Sequence, residues 1–194
     1  MTVGTGLGAS GSGDLPTKTR LSAACSPYQA ILGDAFALVH ANVRRAHLAP
    51  LAAEGTIDVE HGSQWLGPLM IRAMKLPGAG RGQRVRLDVV VVGGEVEWRR
   101  QIGASVLRTR QKAIGSRLVE RRGIGCVAFE LAVQDGALLY RQVSMRVAGV
   151  QMPSSISPRV EARVSPAATG WHVDVVVTWR TQLLCRYAGV LGPV

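Results

Sequence analysis

Between Gln83 and Arg146 the chain alternates apolar and polar residues, turns on glycine, and alternates again. Val85, Leu87, Val89 and Val91 alternate with Arg84, Arg86 and Asp88; Gly93-Gly94 follows, and Glu95 to Ile102 runs back. Val127, Phe129, Leu131 and Val133 repeat the pattern, Asp135-Gly136 makes the next turn, and Ala137 to Val147 returns. Alternation puts every second side chain on one face, and Gly-Gly or Asp-Gly supplies the positive φ that tight hairpins need. The stretch therefore predicts consecutive antiparallel hairpins with one apolar face. It fixes a class of fold and names no chemistry.

The flanks add helices and more strands. Ser26-Pro27 has the form of a helix start, with Tyr28, Ile31, Leu32, Ala35, Phe36, Leu38 and Val39 at helical spacing and an end near His47 and Pro50. Glu54 to His61 alternates as a half-buried first strand, and Ser63 to Leu76 reads as a short helix carrying Leu66, Leu69, Met70 and Met74 on one side. A Gly-rich loop, Gly78 to Gly82, leads into the hairpins. After Val147 the prolines at 153 and 158 forbid a central strand. Short strands resume at Arg159 to Val164, Trp171 to Arg180 and Leu183 to Val190, making about nine strands and two helices. The fold class is α+β, mainly antiparallel β: a curved sheet or incomplete barrel packed on one or two helices.

Residues 1–25 read as a flexible Gly/Ser-rich tail, and 26–194 as a single globular domain, a size that buries roughly 70% of its unfolded-chain surface. Gly6-Leu7-Gly8-Ala9-Ser10-Gly11 matches a dinucleotide-binding pattern by letter only, since no strand precedes it and no helix follows. No cofactor is expected. Cys25, Cys126 and Cys185 lack CxxC spacing and suit small buried hydrophobes in a reducing compartment. The first 20 residues have no apolar core of a signal peptide, and no stretch is long enough to span a membrane, so a cytoplasmic location is expected.

Charge is unevenly spread. Of the net +10, six units lie between Glu97 and Arg122, where eight cations face two carboxylates. Arg108 and Arg110 project to one side of a strand with Lys112 beside them, which describes either a solvated outer face or a surface docking an acidic protein or nucleic acid. Only Trp98 is there for stacking on bases. Asp58 and Glu60 share a strand face and read as salt-bridged structural carboxylates before they read as an acid/base pair. His40, His47, His61 and His172 lack metal-ligand spacing, and no nucleophile is paired with a base. No catalytic constellation is visible, so a non-enzymatic role is expected.

The order of several short motifs resembles a bacterial family known as domain of unknown function 4166. They are Ser26-Pro27-Tyr28-Gln29, Gly33-Asp34-Ala35-Phe36, Gly55 to Gly62, Trp98-Arg99-Arg100, Leu118-Val119-Glu120-Arg121, Asp135-Gly136-Ala137-Leu138, and Pro153 to Pro158 leading into Arg159-Val160-Glu161. The resemblance covers about residues 26–190 and departs at Arg122, where the family tends to an aromatic residue. It transfers no catalytic residue. It implies a functional association with a dehydrogenase-like protein, since members stand alone or follow a dehydrogenase-like NAD(P) domain.

Two functions follow as expectations. The first is a binding module for an apolar or amphipathic anionic, lipid-like small molecule. Trp65, Met70 and Met74 would form a gate, either a lid or a membrane-surface helix. Trp98 and Arg100 would meet the ligand, Arg100 because it shares its strand face with Val96, Trp98 and Ile102. A buried guanidinium needs a carboxylate, from Glu60 or Glu120 if not from the ligand. The second is an interaction subunit docking through Arg108, Arg110 and Lys112.

Overall fold

The hairpins read from the sequence close on one another. A computed structural model describes residues 26–65 and 67–194. The tail over 1–25, its Gly6–Gly11 match, Cys25 and Leu66 lie outside the described residues. The first strands are β1 (Leu51–His61), β2 (Gly80–Val92), β3 (Glu95–Ile102), β4 (Ser105–Ile114), β5 (Arg117–Arg122) and β6 (Gly125–Gln134). They continue through β7 (Ala137–Val147), the two-residue β8 (Val150–Gln151), β9 (Arg159–Ala167), β10 (Gly170–Trp179) and β11 (Gln182–Pro193). The order β6-β5-β4-β3-β2-β1-β11-β10-β9-β7 is joined end to end by β6–β7 pairing, so ten strands form a closed antiparallel barrel. The incomplete barrel expected from the sequence is thus complete.

The turns have the geometry their letters predict. Gly93 and Gly94 both take positive φ, as do Asp135 and Gly136, which matches the twist of the flanking strands. The β2–β3 ladder runs in unbroken register from Val85 opposite Ile102 to Val92 opposite Glu95. Every second residue therefore points inward: Val85, Leu87 and Val89 on β2, Trp98 and Ile102 on β3, Leu107 and Thr109 on β4 are all buried. Their neighbours Arg84, Arg86, Arg99, Arg108 and Arg110 face out and are exposed.

Closure needs strong coiling where β1, β11 and β10 meet. A Cβ added to Gly55 would lie 2.0 Å from the Val190 carbonyl oxygen, and one on Gly189 would lie 2.1 Å from that of Thr56. Only glycine permits backbones this close. The opposite seam is looser. β7 pairs with β9 only from Leu138 to Arg141, leaving the rest of β9 without a ladder on that side. Gln142 fills the gap: its Nε2 donates to the Pro158 carbonyl at 2.8 Å, and its Oε1 accepts from the Val160 amide at 3.0 Å. Pro166 sits beyond the paired stretch, where its missing N–H costs nothing.

One end of the barrel is plugged by the chain's N-terminal helices. The single helix expected from Ser26 to near His47 is broken into α1 (Pro27–Leu32), a 3₁₀ segment (Gly33–Leu38) and α2 (Ala41–Ala46). Gly33 takes a left-handed φ of 54°, and Val39 is extended, which stops helical propagation twice. The second expected helix is present but shorter, as α3 (Gly67–Ala73), and lies at the other end of the barrel between β1 and β2. The first strand starts earlier than expected, at Leu51, and β2 absorbs the end of the Gly-rich loop from Gly80. Among the described residues no helix is long and apolar enough to cross a membrane.

Candidate functional site

The barrel interior contains a cavity of about 140 Å³. Its walls are inward positions of the strands, including Val85, Leu87, Trp98, Ile102, Val164, Trp171, Val173 and Val175. Tyr28 and His47 close it from the plugged end. Their meeting has a local cause. Ser26 does not cap α1; its Oγ donates to the His47 carbonyl at 3.0 Å, tying the start of α1 to the end of α2. The two rings then pack edge-on with centroids 4.6 Å apart.

A chain of polar side chains crosses this apolar space. The Tyr28 hydroxyl donates to Gln111 Oε1, and Gln111 Nε2 donates to Glu120 Oε2. Strand register makes this possible, because Gln111 stands opposite Glu120. Arg100 Nη1 donates to Thr109 Oγ1 at 3.2 Å and lies 3.9 Å from Glu120 Oε1. Its guanidinium carbon is 4.8 Å from the Trp98 ring centroid, a cation–π distance. Glu120 is thus the carboxylate that Arg100 requires, whereas Glu60 faces outward beside Arg186 in the β1–β11 register. The ion pair is long, and its Glu120 partner already accepts from Gln111, so most of the five guanidinium donors stay available to a guest. Arg100 and Glu120 each keep 22% of their side-chain exposure, so water reaches them.

Burial sets the protonation of the remaining groups. It drives the Tyr28 and Tyr140 hydroxyls above their ordinary range and Tyr187 up to about 12. It lowers His47 to about 4, with the Arg100 charge acting in the same direction and the bond to Val43 opposing. The His47 ring is therefore neutral at pH 7, its Nδ1 donating to the Val43 carbonyl at 2.7 Å. The formal charges lining the cavity are those of Arg100 and Glu120. Among the described residues one buried side-chain polar atom has no partner: the indole Nε1 of Trp98. A guanidinium with spare donors, an unpartnered indole N–H and neutral phenols in an apolar space can hold a compact anion by hydrogen bonding and charge.

Of the residues expected to meet a ligand, Trp98 and Arg100 come together in the cavity. Trp65, Met70 and Met74 do not line it: the methionines pack on the core from α3, and Trp65 is 86% exposed at the rim. Arg122, the departure from the family pattern, has a structural task there. Its Nη1 and Nη2 donate to the carbonyls of Met74 and Lys75, both at 2.8 Å, fastening the end of the α3 segment to β5. The sequence offered Glu120 only as one of two possible partners for Arg100 and gave no site role to Tyr28, His47, Gln111, Tyr140 or Tyr187. For Gln111 a signal existed, since it alternates with Arg108 and Arg110 and so had to point inward. For Tyr28 and His47 none did, because helical spacing does not say that a helix end enters a barrel.

The arginine face is on the outer wall and is partly neutralised. Glu97 accepts from Arg99 at 2.7 Å and Arg110 at 3.0 Å, with Arg108 at 3.6 Å. The hydrogen bonds from Arg99 and then Arg110 hold its carboxyl below the usual range. Lys112 and Arg121 share Glu95 at 3.4 and 3.8 Å. Asp58 and Glu60 also face out, Asp58 accepting from the Gly82 amide at 2.6 Å. Among the described residues no three His, Cys, Asp or Glu side chains gather as a metal site.

The model of a family described as "Domain of unknown function (DUF4166)" matches residues 39–191, most of the chain. No curated protein and no solved structure matches.

Proposed function

Since this chain belongs to the DUF4166 family, whose description assigns no activity, we propose from geometry that it is a non-enzymatic binding barrel for a compact amphipathic anion. The observation that carries this reading is Arg100: an inward guanidinium held loosely by Glu120, beside the unpartnered Trp98 indole, facing an apolar cavity. Packing alone does not call for a half-buried ion pair on an inner wall, since hydrophobic residues of similar volume replace even a buried pair at little or no loss of stability.

Size narrows the ligand class. A cavity of about 140 Å³ resembles the ~150 Å³ engineered cavity that admits benzene. The buried part is therefore a ring or a short branched chain bearing a carboxylate or phosphate. Docking of an acidic protein or nucleic acid on Arg108, Arg110 and Lys112 is the weaker reading, because Glu95 and Glu97 already consume much of that charge.

Native mass spectrometry of gently purified protein tests the proposal, followed by titration with benzoate, short-chain carboxylates and their phosphate counterparts. A discrete adduct lost on denaturation, and binding weakened at least about tenfold by Arg100→Ala, are expected, since a charged hydrogen bond contributes about 1.5–3 kcal/mol. Absence of an adduct together with no response to any compound in the series would overturn it.

A further inference from the structure

The two ends of the barrel differ in a way that the cavity does not require. At the end covered by α3 the connections comprise residues 62–79, 103–104, 123–124, 148–158 and 180–181, and none contains Asp or Glu. Their charges are all positive: Arg72, Lys75 and Arg180 are exposed, and Arg81 follows at the start of β2. The nearest outer-wall carboxylates are each engaged: Asp58 is bonded to Gly82, Glu60 stands opposite Arg186, and Glu161 is 2.9 Å from Arg159. The same rim exposes Trp65, Leu69, Val106, Ile124, Val150 and Ile156. At the plugged end exposed aliphatic residues also occur, but Asp34, Asp135 and Glu95 stand among Arg44 and Arg45 there.

We infer that the α3 end is a docking surface for an anionic lipid bilayer. Exposed aliphatic side chains and an indole partition into the headgroup–acyl boundary, where tryptophan is at home, while cations beside them meet anionic headgroups. Charge complementarity selects the partner: a rim of one sign with no carboxylate suits a surface whose charge is negative throughout. The α3 segment lies on this rim, and a groove between it and the start of β4 has Arg72 and Lys75 beside Ile71, Leu76 and Val106, a headgroup-sized mixture of cation and apolar wall. The outer wall is excluded as the contact, since its arginines are interleaved with Glu95, Glu97 and Asp88. Polar-out, apolar-in strands are the reverse of what a membrane-spanning barrel presents to lipid. The protein therefore rests end-on at the membrane. This goes beyond the cavity reading and stands on different residues.

Flotation with vesicles of phosphatidylglycerol and phosphatidylcholine, against phosphatidylcholine alone, is the test. Binding is expected on the anionic vesicles only and is expected to fade as salt is raised. At roughly fivefold per cation, Arg72→Gln with Lys75→Gln lowers partitioning on the order of 20-fold. Trp65→Ala lowers it too and reduces the quenching of emission by brominated lipid, while thermal stability stays unchanged because Trp65 is exposed. No binding to either vesicle, equal binding to both, or loss caused by Arg108→Gln with Arg110→Gln instead overturns the inference. Arg100→Ala separates the two proposals: it weakens capture of a dissolved anion at least about tenfold and leaves vesicle binding intact.

Discussion

His47 is the residue at which burial has the most direct consequence for stability. Its ring is neutral in the folded state with the pKa lowered to about 4, whereas in the unfolded chain it protonates near 6.5. The unfolded state therefore binds the extra proton first, and the stabilisation present above pH 6.5 is lost as pH falls towards 4, by about 3 kcal/mol. Urea unfolding between pH 7 and 4 is expected to show this slope, and His47→Gln is expected to remove it. Glu97, lowered by Arg99 and Arg110, acts in a separate window, losing its contribution only as pH falls through the carboxylate range. Glu120 offers a functional prediction of opposite sign to Arg100. Glu120→Gln removes the carboxylate competing for the guanidinium and keeps a side chain opposite Gln111, so a bound carboxylate is expected to tighten several-fold in calorimetry. Arg100 itself was legible in the sequence from alternation with Trp98 and Ile102; its partner was legible only as Glu60 or Glu120, because the register between β4 and β5 decides which carboxylate arrives.

The elements join by two unlike seams, and each predicts its own failure. Between β1 and β11 the backbones touch at Gly55 and Gly189. Gly55→Ala drives a methyl into the Val190 carbonyl and is expected to destabilise the barrel by about 3 kcal/mol, read by chemical denaturation. Between β7 and β9 one side chain replaces the missing ladder. Gln142→Ala is expected to release the Val160 amide to fast hydrogen exchange while β1, β2 and β11 keep their protection. The Gly-Gly and Asp-Gly hairpins could be read directly, because a two-residue turn is a local property of its own letters. The broken N-terminal helix could not. Its apolar spacing is helical throughout, while the breaks come from the positive φ of Gly33 and the extended backbone of Val39.

At the scale of the whole molecule, a barrel open to a guest gains stability from that guest by mass action. At about 100 times the Kd a compact anion contributes ~2.7 kcal/mol, which for a chain of this size raises Tm by roughly 5–10 °C. Differential scanning fluorimetry with benzoate-sized anions reads this, and Arg100→Ala should cut it by about half or more. Closure also converts strand alternation into an inside and an outside, and hairpin ends into two rims of different charge. The sequence by itself determined the strands, their turns, the polar outer face and the inward parity of Arg100, since each depends on residues two to four positions apart. Tertiary structure alone decided that the sheet closes, that Tyr28 and His47 form its floor, and that Trp65 stands on the rim outside the cavity. Those facts depend on pairings between residues far apart in the chain, such as β7 with β9 and β1 with β11, which no two-residue turn sets.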